Sequence, residues 1–249
     1  MTSSAEHNYR CAADNMPGVS GRSARSSSGR QAGPREPSAP DLPAELAAAS
    51  LPEHDLDDGG IYELLAFAGL DLHEREAAGI EIEACRFSDV NLSQARLRRG
   101  LVRDVAFERC DLANLRALDS AFTRVALSSC RMTGLSMIDV TMRDVTFIAC
   151  RVDLSSFRDS KLNDVVFTDC RMEQADFTEA DLRGARFTGC DLTGAQFTGA
   201  QMGGARLSRC ELTGIGGVTS MRGAIVTSAD AVALAFILAN ALGITIEDD

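Results

Sequence analysis

The stretch CRMEQADFTEADLRGARFTGC, residues 170–190, carries a bulky apolar residue at every fifth position. These residues are Met172, Phe177, Leu182 and Phe187, and a cysteine stands at each end of the stretch, twenty residues apart. A period of five matches neither the 3.6-residue period of an α-helix nor the two-residue alternation of a flat strand. The stretch therefore predicts a repeat architecture.

The same period runs from Tyr62 to Leu212, and of its 31 centres only Ala77 and Ala117 are small. From Cys85 onward the residue two before each centre is Cys, Val, Ala, Gly, Leu or Ser. Six of these are cysteines twenty residues apart, namely Cys110, Cys130, Cys150, Cys170, Cys190 and Cys210. Twenty is four fives, so the pattern predicts a coil of four short sides in which residues twenty apart stack at about 4.8 Å. The centres then make nearly eight coils.

Three local motifs, Ala175-Asp176-Phe177, Ala180-Asp181-Leu182 and Ala195-Gln196-Phe197, carry a resemblance to the pentapeptide-repeat proteins. The motif of that family is roughly Ala-Asp/Asn-Leu-x-x, and the resemblance covers residues 60–214. It implies an all-β fold, a right-handed quadrilateral β-helix. In the middle coils, Val, Cys or Ser often stands two before the centre, so we expect less regular turns there.

The segment before the repeat divides into two parts. Residues 1–40 are rich in Ser, Arg, Gly and Pro, which predicts a disordered tail, with contact to nucleic acid as the alternative. Residues 41–59 form an acidic lead-in, where the alanines after Pro43 predict one short helix. Arg75 stands at an inward position, where burying a charge is costly, so we expect a bulge or loop over residues 73–79.

Residues 215–249 are predicted to form a C-terminal cap of a loop, a helix over about 228–242 and a short strand at 244–246. Thr227 and Asp230 make a capping box, and Gly243 ends the helix. The helix is apolar nearly all round, which implies burial on two sides. One side covers the last coil. The other favours a tail-to-tail dimer through Val232, Phe236, Ile237, Leu238 and Leu242. The alternative is that Ile225, Val226 and the terminal strand wrap that side.

The composition favours packing over chemistry. The six periodic cysteines occupy an inward small position, where a free cysteine is a good buried hydrophobe. All three histidines lie outside the cysteine series, and no C-x-x-C is present. No nucleophile has a histidine base within the repeat. We therefore expect no enzyme, no cofactor and no metal.

No segment has the pattern of a signal peptide or a membrane span, so we expect a cytoplasmic protein.

Charge is the remaining source of functional information. The chain has a formal net charge of −11, whereas residues 82–212 contain 18 acidic and 18 basic residues. Stacking residues twenty apart predicts two acidic columns for partner binding. One contains Asp119, Asp139, Asp159 and Glu179, and the other contains Asp104, Asp144 and Asp164 with Arg124 interposed. Like charges about 5 Å apart repel by roughly 1 kcal/mol in a water-like dielectric. The alternative is lateral neutralisation by Arg103, Arg143, Arg158 and Arg183.

The family resemblance adds a function to these columns. Some pentapeptide-repeat proteins protect or inhibit DNA gyrase, resemble a B-form duplex in width and charge, and dimerise through their C-terminal ends. The resemblance therefore implies a non-enzymatic DNA mimic that binds this type II topoisomerase and protects it from inhibitors. The alternative is a scaffold that presents one face to an unknown protein partner. Neither hypothesis involves direct nucleic-acid binding by the rod or a membrane.

Overall fold

The computed structural model describes residues 35–246, which wind into a parallel β-solenoid of about 9 turns followed by one α-helix. This is slightly longer than the nearly eight coils predicted. The strands are β1 Ala47–Ala48, β2 Ile61–Glu63, β3 Leu65–Ala68, β4 Glu76–Ala78, β5 Glu81–Glu83, β6 Arg86–Ser88, β7 Arg96–Arg98, β8 Leu101–Glu108, β9 Arg116–Leu118, β10 Ala121–Ser128, β11 Ser136–Ile138, β12 Thr141–Ile148, β13 Lys161–Thr168, β14 Arg186–Thr188, β15 Arg206–Ser208 and β16 Ile225–Val226.

Parallel pairing at a spacing of twenty residues organises these strands. The larger sheet follows the order β1-β3-β6-β8-β10-β12-β13-β14-β15-β16, with β2 and β5 joining it through β8. A second sheet has the order β11-β9-β7-β4. The register pairs Phe87 with Phe107 and Leu97 with Ala117, as the sequence period predicts. Isolated bridges such as Arg131 to Arg151 continue the same register on a further side.

A left-handed corner follows every apolar centre. From Gly59 to Gly214, every fifth residue has a φ between 50° and 79°, and most of these residues are not glycine. The backbone N–H at this corner donates to the next coil, as from Asp159 N to the Thr178 carbonyl (3.2 Å). A non-glycine residue in this conformation costs roughly 1–2 kcal/mol, so the stacked coils must enforce it.

Aromatic stacking fills the interior of the later coils. The Phe167 ring stacks on Phe147 with a centroid distance of 4.6 Å and on Phe187 at 5.0 Å. Phe157 and Phe177, from the opposite side, meet the Phe167 ring edge-on at 6.0 and 6.4 Å. All five rings are fully buried. The inward five-residue series is therefore one continuous core, which single pentapeptides cannot form alone.

The cysteine column lies inside the solenoid, as the spacing predicts. Cys110, Cys130, Cys150, Cys170, Cys190 and Cys210 are all buried and free. Their thiols approach backbone carbonyls, for example Cys150 Sγ to the Ile148 oxygen at 3.4 Å. Cys85 is buried on another side, and this burial raises the pKa of its thiol. The column therefore acts as small core packing.

The N-terminal expectations need two corrections. No helix forms over residues 41–59. Instead Ala47–Ala48 is a strand, because the N–H groups of Ala47 and Ala49 donate to the carbonyls of Leu64 and Ala66 at the open sheet edge. The expected bulge over 73–79 is also absent, since Glu76–Ala78 pairs in register with β7. The charge of Arg75 is not buried without a partner, because its Nε lies 2.7 Å from Oδ1 of the half-buried Asp55.

Residues 35–49, the N-terminal strap, lie on the solenoid. The prediction of a disordered tail over residues 1–40 is therefore wrong for residues 35–40. Its remainder, residues 1–34, lies outside the described residues.

The C-terminal cap begins where the five-residue register breaks. A Cβ on Gly217 would lie 2.2 Å from the Thr198 nitrogen, so only glycine fits this close approach. The last strand, Ile225–Val226, pairs with Arg206–Leu207 at a spacing of nineteen residues rather than twenty. The helix α1 covers Ser228–Ala241, close to the predicted bounds. Residues 244–246 are not in a strand, which corrects that expectation.

The Phe167→Ala substitution tests whether the stacked rings carry the fold. We expect a loss of about 3–5 kcal/mol in the free energy of unfolding, because four aromatic neighbours lose their contacts and a cavity remains. Chemical denaturation followed by circular dichroism measures it. The milder Phe167→Leu variant keeps most of the volume and should lose less.

Ile148→Ala is the matched control. Ile148 is 49% exposed on a strand of the same sheet, so its truncation should cost about 1 kcal/mol or less. Equal losses for Phe167→Ala and Ile148→Ala would contradict the role given to the aromatic core.

Candidate functional site

The predicted acidic columns occupy the left-handed corners of the solenoid. All seven acids, Asp104, Asp119, Asp139, Asp144, Asp159, Asp164 and Glu179, have positive φ values between 52° and 58°. Aspartate tolerates this conformation better than most residues, because its short side chain bonds to the local backbone. Backbone preference alone therefore explains much of the alignment of aspartates. The surroundings of each carboxylate must decide whether the column has a further use.

The exposed acidic column consists of Asp119, Asp139, Asp159 and Glu179, one on each of four successive coils. Each of these residues is exposed. Within residues 35–246 none has an Arg, Lys or His nitrogen within 4.0 Å. The column is thus a row of solvated carboxylates about 4.8 Å apart.

Lateral neutralisation by arginine does not occur through direct ion pairs at this column. Three of the four candidate arginines bind other acids: Arg103 binds Glu83 at 3.4 Å, Arg158 binds Asp176 at 3.3 Å and Arg183 binds Asp181 at 2.6 Å. The hydrogen bonds from Arg183 lower the pKa of Asp181. Adjacent carboxylates of the column therefore repel each other by roughly 1 kcal/mol per pair, and only water and dissolved salt screen this repulsion.

Apolar and basic side chains border the exposed acidic column. Leu118 is 43% exposed and Ile138 is half-buried, both just before a column aspartate, as the register predicts. Arg98 and Arg116 lie beside Leu118 and Ile138, towards the N-terminal end of the same side, and have no ion pair within the described part of the chain. This side of the solenoid therefore combines a carboxylate row, an apolar patch and a basic end, a mixed surface typical of protein recognition.

The second predicted column has different surroundings. Asp104 is only 5% exposed, and Arg124 binds it through two hydrogen bonds, one of 2.6 Å from Nε. These hydrogen bonds from Arg124, together with one from the Asp41 N–H, hold the pKa of Asp104 below its usual value. Asp144 is equally buried and binds Arg35 and the Ser38 N–H, both in the N-terminal strap. Asp164 binds the same arginine at 3.2 Å.

The carboxylates of the two columns thus differ in how accessible they are to a binding partner. The strap covers the carboxylates of Asp104 and Asp144, so a partner meets them only if the strap moves. Sequence reasoning missed this, because Arg35 and Glu36 lie in a segment without a repeat. The one available signal was that these charges stand among prolines, in a stretch suited to an extended backbone.

The cap helix is anchored by a buried carboxylate. Thr227 is its N-cap, and Asp230 Oδ1 and Oδ2 accept hydrogen bonds from the N–H groups of Cys210 (2.9 Å) and Arg209 (3.0 Å). Asp230 therefore satisfies N–H groups at the open edge of the last coil, while its own N–H donates to the Thr227 hydroxyl and its carboxylate accepts from that hydroxyl.

The five helix residues predicted to form a dimer contact differ in their exposure to solvent. Ile237 packs against the core, whereas Val232, Phe236, Leu238 and Leu242 are exposed, Phe236 by 60%. Leu234 is the buried apolar residue of the helix, alongside the buried Asp230. The helix thus covers the last coil with one side and presents an apolar surface on the other. Ile225 and residues 244–246 are themselves exposed and do not bury that side.

Two further observations concern the described residues as a whole. Residues 35–246 contain no group of three or more His, Cys, Asp or Glu side chains arranged to hold a metal ion. No helix in that range is both long and apolar enough to cross a bilayer.

Comparison with known proteins agrees with this architecture. The family model described as a pentapeptide repeat region matches residues 120–197 and 140–216. A search of curated protein sequences gives no match.

Solved structures similar to the chain include three pentapeptide or quinolone-resistance proteins. A trypsin-treated variant of QnrB1, a plasmid-mediated fluoroquinolone resistance protein, is 18% identical, with 75% of this chain and 99% of that chain covered and a TM-score of 0.32. HetL, involved in heterocyst differentiation regulation in the cyanobacterium Nostoc sp. strain PCC 7120, is 13% identical, with coverages of 68% and 87% and a TM-score of 0.29. Rfr23 from the cyanobacterium Cyanothece 51142 is 12% identical, with coverages of 69% and 91% and a TM-score of 0.23.

Proposed function

Because residues 120–216 of this chain are a pentapeptide repeat region, we propose that the protein is a non-enzymatic DNA mimic whose exposed acidic column binds the DNA-binding surface of a type II topoisomerase. The observation that supports this proposal is the row of four exposed carboxylates that have no ion pair with any residue from 35 to 246. DNA gyrase is the partner to test first, since the repeat resembles that of gyrase-protecting proteins.

The electrostatics of the column suit a surface that binds phosphates. A protein that binds DNA presents Lys and Arg to phosphates that repeat every 3.4 Å along one strand. Carboxylates on successive coils stand about 4.8 Å apart, which flexible Lys and Arg side chains can accommodate. A basic partner replaces the repulsion within the column by attraction, so complementarity contributes to both association rate and specificity.

A scaffold function without DNA mimicry is the second candidate. Leu118 and Ile138 border the column, and the basic Arg98 and Arg116 stand at one end of the same side. A DNA surface has neither feature. The equal numbers of acidic and basic residues over 82–212 also favour a mixed protein interface. In this alternative the partner carries an apolar patch and both signs of charge.

A supercoiling assay with purified DNA gyrase, with and without a quinolone, tests the first candidate. We expect the wild-type protein at micromolar concentration to change supercoiling activity or to relieve quinolone inhibition. The double variant Asp139→Asn and Asp159→Asn should reduce this effect at least tenfold. Asparagine accepts the left-handed corner, so the substitution removes charge without straining the backbone.

Asp57→Asn with Asp169→Asn is the matched control. Both aspartates are exposed, neither has an ion pair within the described residues, and neither belongs to the column. The control variant should keep the wild-type effect. An effect that survives in the column variant would refute the role of the column, and a wild-type protein without any effect would favour the scaffold candidate.

We further propose that the exposed side of the cap helix forms a two-fold dimer. Val232, Phe236, Leu238 and Leu242 are exposed apolar side chains on the helix at the end of the solenoid. Such a surface is unusual on a monomer, and a two-fold contact buries it on both copies at once.

Phe236→Glu tests this dimer. We expect wild-type protein to sediment as a dimer at micromolar concentration and the variant as a monomer, because the contact would bury an unpaired carboxylate. Ile148→Glu, which changes an exposed apolar residue far from the helix in sequence, should stay dimeric. A monomeric wild-type protein would rule out the proposed contact.

A further inference from the structure

The N-terminal strap runs across successive coils of the solenoid before its last residues pair with β3. Glu36 binds Arg186 Nη2 at 2.8 Å, and Arg35 binds Asp164 at 3.2 Å. Later in the strap, the Asp41 N–H donates to Asp104 at 2.9 Å. The strap therefore passes towards progressively earlier coils, until Ala47–Ala48 pairs with β3.

The length of the strap requires an extended backbone. From the coil of Arg186 to that of Leu65 there are six coil spacings, or about 29 Å at 4.8 Å each. The eleven residue steps from Glu36 to Ala47 reach at most about 36–40 Å. The segment between them is neither helix nor strand, and its prolines favour an extended conformation.

The surface beneath the strap differs from the other sides of the solenoid. In β8, β10, β12 and β13 the outward position before the centre holds Ala106, Ala126, Thr146 and Val166, and the same column has Arg86 and Arg186 at its two ends. The equivalent position on another side holds Arg131, Arg151 and Arg171. Small or branched residues thus form the floor of this groove, and Asp104, Asp144 and Asp164 form its acidic edge. We call this surface the strap groove.

The strap lies on the outside of the solenoid. None of the residues from Arg35 to Ala49 is buried, although Pro37, Pro40, Leu42 and Leu46 are partly covered. The side chains of Arg35 and Glu36 are 58% and 79% exposed, whereas those of their partners Asp144 and Arg186 are 6% and 13% exposed. Water therefore reaches each ion pair from the strap side only. The hydrogen bond from Arg186 lowers the pKa of Glu36.

The carboxylate of Asp144 makes the groove selective. Within the described residues its only ion pair within 4.0 Å is with Arg35, and its other partner is the strap amide of Ser38 at 3.0 Å. Asp104, by contrast, keeps Arg124 whether or not the strap is present. A segment that replaces the strap must therefore supply a guanidinium or an ammonium to Asp144 and a backbone N–H beside it.

We infer that the strap groove is a second protein-binding surface, which takes an extended, arginine-bearing polypeptide segment of a partner, and that the strap is its built-in competitor. This surface is separate from the exposed acidic column and does not depend on the topoisomerase proposal. A segment with higher affinity displaces the strap. The apparent affinity of that segment is its intrinsic affinity multiplied by the fraction of time the strap is released, so a strap that is released more often gives tighter binding.

The test uses the full chain and a fluorescent peptide with the sequence of residues 34–49 as the probe. In the variant Arg35→Glu with Glu36→Arg, each of the two strap residues meets a partner of the same charge, while the residues of the groove are unchanged. We expect the amides of Ser38 and Asp41 to exchange hydrogen at least tenfold faster than in wild type. The peptide should bind this variant at least tenfold more tightly than wild type, and adding Asp144→Asn should remove that gain.

Glu45→Arg is the control, because Glu45 lies in the strap but has no ion pair within residues 35–246. It should leave both exchange and peptide binding as in wild type. Equal peptide affinity for wild type and the charge-swapped variant would overturn the proposal. So would the absence of binding to either protein, or unchanged protection of the Ser38 and Asp41 amides.

Discussion

The hydrogen bond from each left-handed corner to the next coil is the interaction on which the rest of this structure depends. It joins residues nineteen apart, as between Leu64 N and the Glu83 carbonyl (3.2 Å), and recurs along the stack. Each corner turns the chain by one side, so the apolar centre of every pentapeptide points inward. Without the stack, a non-glycine corner is unfavourable by roughly 1–2 kcal/mol, and a single pentapeptide has no means of offsetting that cost. Corner, stack and core therefore form together.

The corner also explains where the charges of this protein lie. Aspartate is a frequent corner residue because it tolerates positive φ, so acidic columns arise from the backbone before any partner is considered. Their surroundings then separate them. Asp139 and its column neighbours are exposed and form no ion pair in the part of the chain that the structure describes, whereas Asp144 lies under the chain's own Arg35. Function should be read from these surroundings rather than from the alignment of acids itself.

The repeat made most of the fold predictable. The spacing of five identified the centres, and the spacing of twenty identified the pairing of Phe87 with Phe107 and the interior position of the cysteines. The Thr227 and Asp230 pair identified the start of the cap helix. These features are local or periodic, so one coil predicts the next.

The contacts of the strap were not predictable in this way. Arg35 and Asp144 are 109 residues apart, and no repeat connects them. Ala47–Ala48 has the composition of a helix, yet the unpaired carbonyls of β3 favour a strand. Arg75 violated the inward pattern in the sequence, but Asp55, in the non-repeating lead-in, supplies its counter-ion. Non-periodic segments are thus where local propensity and the final structure disagree.

Thiol accessibility in solution tests the stacked register most directly. With Cys11→Ser in the full chain, the seven remaining cysteines are those that the structure buries. We expect no reaction with Ellman's reagent under native conditions and reaction of all seven thiols after unfolding in guanidinium. Rapid reaction of any cysteine of the column in the native protein would contradict a solenoid in which residues twenty apart stack with their inward side chains in the core.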